Sequence, residues 1–166
     1  FGRDEQSWGM AHTVLDGNTR DPDFWIKKLT PELARKFRHE SGAEIGITMA
    51  FIDGGWAGEM VYAYLRWLSA NPVSGVTGKV RASKGMGLHG HPIVTRKMST
   101  VAKNLKGHYI GTWEAKDRVY ERLRMVPAQD DPREGVMHFN KQYSEEYCQQ
   151  MTSETVLITY EKGVEV

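Results

Sequence analysis

Cysteine is almost absent: Cys148 stands alone, which excludes an internal disulfide and a cysteine zinc cluster and fits a reducing compartment. No apolar run approaches the roughly 20 residues of a membrane-spanning helix, and the stretch from Phe1 has no signal-peptide pattern. No glycine-rich loop ends in a Walker A lysine, so a P-loop nucleotide enzyme has no support. Internal repeats and low-complexity tracts are missing too. The most local absence is acidic. Between Glu59 and Glu114 there is no Asp or Glu, while Arg66, Lys79, Arg81, Lys84, Arg96, Lys97, Lys103 and Lys106 fall in that window with three histidines. The window carries +8 and the remainder −7, for a chain net of +1. Segregation of this kind suits contact with a polyanion such as nucleic acid; the plain alternative is a set of solvated loop lysines that share no face.

What is present is ordinary for a globular domain. The 166 residues, 40% hydrophobic and 26% charged, suit one domain over 1–166 with a real core. Gly46 to Leu68 organises it. Ile47-Thr48-Met49-Ala50-Phe51-Ile52 is an apolar run with β-branched members, the mark of a buried strand. It stops at Asp53, Gly54-Gly55 follows, and Met60, Val61, Tyr64, Leu65 and Leu68 then recur at helical spacing. An acid at the C-terminal end of such a strand sits where α/β sheets place ligands and metals. Equally, Asp53 can cap the turn that follows it.

In chain order, Ser7 to Leu15 reads as a strand ending at the turn Asp16-Gly17-Asn18, with an antiparallel, hairpin-like opening. Asp21-Pro22 starts a helix with Phe24, Trp25 and Leu29 on its apolar side, and Thr30-Pro31 restarts it to about His39. Lys79 to Ser83 is a short strand. Met86 to Lys106 reads as an extended basic loop, functional or mobile, with a short strand or helical turn near Met98 to Asn104. His108 to Thr112 is a strand and Glu114 to Arg124 a helix; Pro127 to Arg133 is an acidic turn. Gly135 to Phe139 is a strand, Ser144 to Met151 a helix and Glu154 to Tyr160 a last strand. The fold class is therefore α/β, with a mixed sheet flanked by helices. A meander feeding βαβ units is the ribonuclease H-like plan, and a doubly wound sheet gives a similar string.

Several blocks, in order, resemble one family. Asp53-Gly54-Gly55 with Val61-Tyr62 is similar to the central motif of GpA-type, lambda-like phage terminase large subunits. Val80-Arg81-Ala82-Ser83-Lys84-Gly85, then His108-Tyr109-Ile110-Gly111-Thr112 with Ala115 to Leu123, resemble its next blocks. Gly135 to Phe139 and Tyr147 to Glu154 resemble the last two, and Ser7-Trp8 with Trp25 and Leu29 its early hairpin. The turn is one residue shorter than in the family, since no Ser or Thr separates Asp53 from the glycines.

The resemblance implies a C-terminal, ribonuclease H-like nuclease domain of a DNA-packaging terminase, which cuts concatemeric double-stranded DNA. It implies that the family's first acid lies on a strand before Phe1 and its last in a helix after Val166. Two-metal phosphodiester hydrolysis would use Mg²⁺ or Mn²⁺ held by converging carboxylates, Asp53 among them. The implied partners are duplex DNA, the small subunit, the packaging ATPase domain of the same polypeptide and the portal, in the cytoplasm of the host. The alternative is a non-catalytic DNA-binding or docking module with the same fold. Lys79, Arg81, Lys84, Arg96 and Lys97 are the expected phosphate contacts. The other conspicuous residues have plainer expectations: His89-Gly90-His91 as surface loop, Glu114 and Asp117 favouring their helix N-terminus, Cys148 as a half-buried thiol, and Trp56 packed on the sheet.

Overall fold

A computed structural model describes residues 3–102, 105–125, 134–154, 160–161 and 164–165. Its strands are β1 (Ser7–Gly9), β2 (Lys36–Arg38), β3 (Glu44–Gly46), β4 (Ala50–Asp53), β5 (Val80–Met86), β6 (Ser99–Ala102), β7 (Leu105–Gly111), β8 (Met137–Phe139), β9 (Tyr160–Glu161) and β10 (Val164–Glu165). Its main helices are α1 (Thr30–Leu33), α2 (Gly58–Ala70), α3 (Thr112–Leu123) and α4 (Glu145–Met151), with a π-helical segment, Phe24–Leu29, leading into α1. The chain is thus mixed α/β and divides into two compact units, Val14–Val126 and Phe1–Thr13 with Pro127–Val166. The acidic turn at 127–133 and residues 155–159 of the last expected strand lie outside the described residues.

In the larger unit, a four-stranded sheet runs β4-β5-β7-β6, with β4, β5 and β7 parallel and β6 antiparallel to β7. Strand alternation decides which face is covered. Ala50 and Ile52 of β4 and Val80 of β5 join the core with Val61, Tyr64 and Leu68 of α2 and with Trp25. The intervening Phe51 and Asp53 therefore point to the other face. The expected buried strand is consequently half-open: it begins at Ala50 rather than Ile47, and Met49 and Phe51 are 58% and 42% exposed.

One local expectation gives way to another structure. The helix expected to reach His39 stops at Leu33, and β2 pairs antiparallel with β3 instead. After Ala34, Phe37 is the one apolar residue up to His39, too little for a helical stripe. Gly42, at φ +86°, accommodates the tight turn, His39 Nδ1 bonds Ser41 Oγ at 2.8 Å, and Lys36 pairs with Glu44 at 2.8 Å. In Met86 to Lys106 the short element expected near Met98 to Asn104 is a strand, β6, and the segment before it is fastened to the rest of the unit. Trp113 Nε1–H donates to Gly87 O, Thr112 Oγ1–H to Met86 O, Gly111 N–H to Pro92 O, and Gly90 N–H to Glu114 Oε1. The bonds come from the β7–α3 junction, a partner that loop composition does not reveal.

In the smaller unit, the opening is not an antiparallel hairpin. Strand β1 is three residues long and pairs parallel with β8, Trp8 opposite His138. Beyond Gly9, side chains take the backbone carbonyls that a partner strand would have used: Asn140 Nδ2–H donates to Met10 O at 2.8 Å and Tyr143 O–H to Ala11 O at 3.2 Å. Ser144 caps α4 by accepting from Tyr147 N–H.

Candidate active site

Asp53 ends β4, and a turn through Gly54, Gly55, Trp56 and Ala57 leads into α2. Asp53 Oδ1 accepts Gly55 N–H at 3.0 Å, so the carboxylate does cap its own turn. The second oxygen, Oδ2, is left for another partner. Both glycines sit where a side chain would be crowded. A Cβ on Gly55 would stand 3.1 Å from Asp53 Oδ2, and one on Gly54 would stand 3.0 Å from the Tyr62 hydroxyl. Gly54 N–H donates to Ser83 O at 2.8 Å, which ties the turn to β5. Ala57 lies in the left-handed region at φ +51°, a local strain of about 1 kcal/mol for a residue with a Cβ.

Register brings further residues to the same face. Phe51 pairs with Arg81, Asp53 with Ser83, and Ser83 with His108 on β7. Ser83 is buried, whereas Asp53 is exposed. The rings of Phe51 and His108 meet edge-on at 5.5 Å and 89°. His108 Nδ1 lies 2.8 Å from Thr95 O. The sequence-based expectation had no role for His108 or Ser83. Their signal is the pairing of parallel strands, which no single stretch contains.

The cations are distributed rather than gathered. Arg81 and Lys84 stand three positions apart on β5 and so face opposite sides of the sheet. Arg81 shares the Asp53 face and donates to Val80 O at 3.1 Å; Lys84 is exposed on the α2 side, near the strand's C-terminal end. Lys79 precedes β5 at its other end, about 16 Å of strand away from Lys84. Arg96 and Lys97 are exposed and directly follow Thr95, the residue that holds His108. A cleft of about 400 Å³ is lined by Leu65, Leu68, Val80 and Met98 together with the cations Arg81 and Lys106, so its surface is mixed apolar and basic.

Trp56, expected to pack on the sheet, is 71% exposed, so an aromatic surface stands free three residues from Asp53. Cys148 is exposed rather than half-buried. His89 stacks on Trp113 at 4.7 Å. Glu114 occupies the first turn of α3, where its own N–H and that of Gly90 hold its carboxyl below the usual range.

For a divalent ion, Asp53 fits the part of one hard oxygen ligand and no more. No group of three His, Cys, Asp or Glu residues arranged for a metal occurs among the described residues. No described helix is long and apolar enough to cross a membrane.

Comparison with known proteins adds the family. Residues 1–166 match the model of the terminase large subunit gpA, endonuclease domain. The chain is similar to the terminase large subunit of Escherichia phage lambda, 26% identical over 143 residues, covering 84% of this chain and 21% of the relative. It is similar to that of Enterobacteria phage P21, 27% identical over 167 residues, covering 96% and 24%. The chain thus spans less than a quarter of either relative's length. No solved structure matches.

Proposed function

The chain belongs to the family of terminase large subunit gpA endonuclease domains, and from that premise we propose that it cuts concatemeric double-stranded DNA during the packaging of a viral genome. The whole-length family match carries this reading, and the open carboxylate of Asp53 is the group it would act through. The fold proposed is ribonuclease H-like, and the chemistry is phosphodiester hydrolysis assisted by two divalent ions, Mg²⁺ or Mn²⁺. Such ions activate water and stabilise the leaving oxygen. Asp53 would supply one ligand, with the other carboxylates coming from residues outside those described. Trp56 and the exposed Phe51 flank Asp53 with apolar surface on which bases or sugars can rest. The proposed partners are duplex DNA, the small subunit, an ATPase domain of the same polypeptide and the portal. The proposed setting is the cytoplasm of the infected or lysogenic host.

Supercoiled plasmid incubated with the full protein and Mn²⁺ tests this. Conversion to nicked and linear forms is expected, and chelation of the metal should stop it. Intact plasmid with a folded, DNA-binding protein would instead establish a non-catalytic DNA-binding module.

Phosphate contact is proposed for Lys79, Arg81, Lys84, Arg96 and Lys97. Because they occupy both sides of the sheet, they should not contribute alike. Arg96 and Lys97 are tied through Thr95 to the His108 side. Replacing both by Ala should lower duplex affinity roughly tenfold at low salt. It should also flatten the log–log salt slope by about 2, one for each phosphate no longer neutralised. The loss should be the same for any duplex sequence. Titrations across salt concentrations with an unchanged slope would remove this pair from the interface.

A further inference from the structure

Asp53, Ser83 and His108 form one row across three parallel strands. Paired residues share a face, and two strand spacings separate the outer Cα atoms by about 10 Å. The middle residue is a buried serine, too short to screen one end of the row from the other. Phe51, two residues before Asp53 on the same face, meets the His108 ring at 5.5 Å. The imidazole and the Phe51 ring therefore meet over β5, on the face that Asp53 shares.

Its protonation pattern follows from its partner. A backbone carbonyl oxygen only accepts, so the 2.8 Å contact with Thr95 O requires the proton on Nδ1. The neutral ring then carries its lone pair on Nε2. Thr95 is itself fastened to β7: its N–H donates to Tyr109 O at 3.1 Å, and its Oγ1 accepts Tyr109 N–H at 3.1 Å. The ring is thus fixed in tautomer and direction and half-buried, with no partner for its basic nitrogen among the described residues. A base oriented by a third group in this way is the general arrangement for taking a proton from a nucleophile.

We propose that His108 is a catalytic residue of the DNA-cleaving site, its Nε2 accepting the proton of the attacking water. This role presupposes the endonuclease function proposed above. As the water oxygen bonds to phosphorus, its proton passes to Nε2 and leaves His108 as the imidazolium. The bond from phosphorus to one deoxyribose oxygen breaks with its electron pair, and that oxygen takes a proton from solvent. His108 then returns its proton to solvent, leaving one strand end with a phosphate and the other with a hydroxyl.

The test is single-turnover plasmid cleavage by the full protein with Mn²⁺, beside duplex affinity and circular dichroism. His108→Asn keeps an N–H donor for Thr95 O and deletes the basic nitrogen; His108→Ala deletes the whole ring. Both should cleave about 100-fold more slowly at saturating DNA, with duplex affinity unchanged. Added imidazole should restore part of the His108→Ala rate, which a packing role would not produce. If His108→Ala fails to fold, His108→Asn decides alone. A His108→Asn rate within threefold of the parent, or a loss confined to duplex affinity, would overturn the proposal. Asp53→Asn in the same assay separates the two levels. An inactive Asp53→Asn with a fully active His108→Asn removes His108 only, whereas full cleavage by both variants removes this face as the nuclease site.

Discussion

Asp53→Asn should abolish DNA cleavage while leaving the protein folded and bound to duplex. The expected loss is about a thousandfold or more in single-turnover rate, equivalent to at least ~4 kcal/mol of lost transition-state stabilisation. The separation of effects follows from the two oxygens. Oδ1 holds the turn by accepting Gly55 N–H at 3.0 Å, and an Asn carbonyl oxygen can make the same bond. Oδ2 carries the charge available to a cation, and an amide NH₂ in its place repels one. The space that Gly55 leaves beside Oδ2 suits a group of the same size. Circular dichroism should therefore superimpose on that of the parent, and duplex affinity should agree within about twofold. Asp53→Ala is a poorer variant because it also opens the turn. Plasmid cleavage by Asp53→Asn at the parental rate would mean that the carboxylate serves the turn alone.

That turn marks the limit of what one sequence can disclose. The strand, the acid, the two glycines and the amphipathic helix were legible from Gly46 to Leu68, because each rests on local spacing. So were the strand–helix alternation around β7 and α3 and the helix that begins at Ser144. The failures share a cause. Trp56 looks like core by composition, yet the turn that exposes Asp53 exposes Trp56 too, at 71%. Residues 35–39 look like a continuing helix until their partner, β3, is known. Strand β1 looks like half of a hairpin, but its partner lies far along the chain at Met137–Phe139. The cations read as one basic window, and strand alternation then divides Arg81 from Lys84. His108 drew no attention because its relation to Asp53 exists only through two successive parallel registers. Local periodicity predicts elements; pairing decides which side chains meet, and a catalytic face is made by pairing.

Trp25→Ala should be the most damaging core substitution, costing about 3–5 kcal/mol of stability. Trp25 is only 7% exposed and belongs to the core cluster with Val61, Tyr64 and Leu68 of α2. Its ring lies 5.8 Å from Phe24 and 5.7 Å from Tyr64, and its Nε1–H donates to Thr19 O at 2.8 Å. Its carbonyl accepts Thr30 Oγ1–H at 3.1 Å, and Thr30 Oγ1 in turn meets the Tyr64 hydroxyl at 2.8 Å. Burial raises the Tyr64 phenol pKa, so the hydroxyl of this chain stays protonated through the neutral range. A small cavity of about 80 Å³ already lies beside Trp25, bounded by Pro22, Met60, Ala63 and Trp67. Removing the indole enlarges an existing hole in a rigid wall of aromatic rings, and α2 cannot close it without leaving β4 and β5. Trp25→Phe isolates the polar part: it keeps most of the ring volume and loses the bond to Thr19 O, which should cost about 1–2 kcal/mol. Urea unfolding monitored by circular dichroism measures both. The midpoint should fall by more than twice as much for Ala as for Phe, with the slope of the transition unchanged. Since a domain is stable by roughly 5–15 kcal/mol in all, the Ala variant should sit near the edge of folding at 37 °C. A shift worth less than 1 kcal/mol for Trp25→Ala would show that α2 is held to the sheet without the π-helical segment.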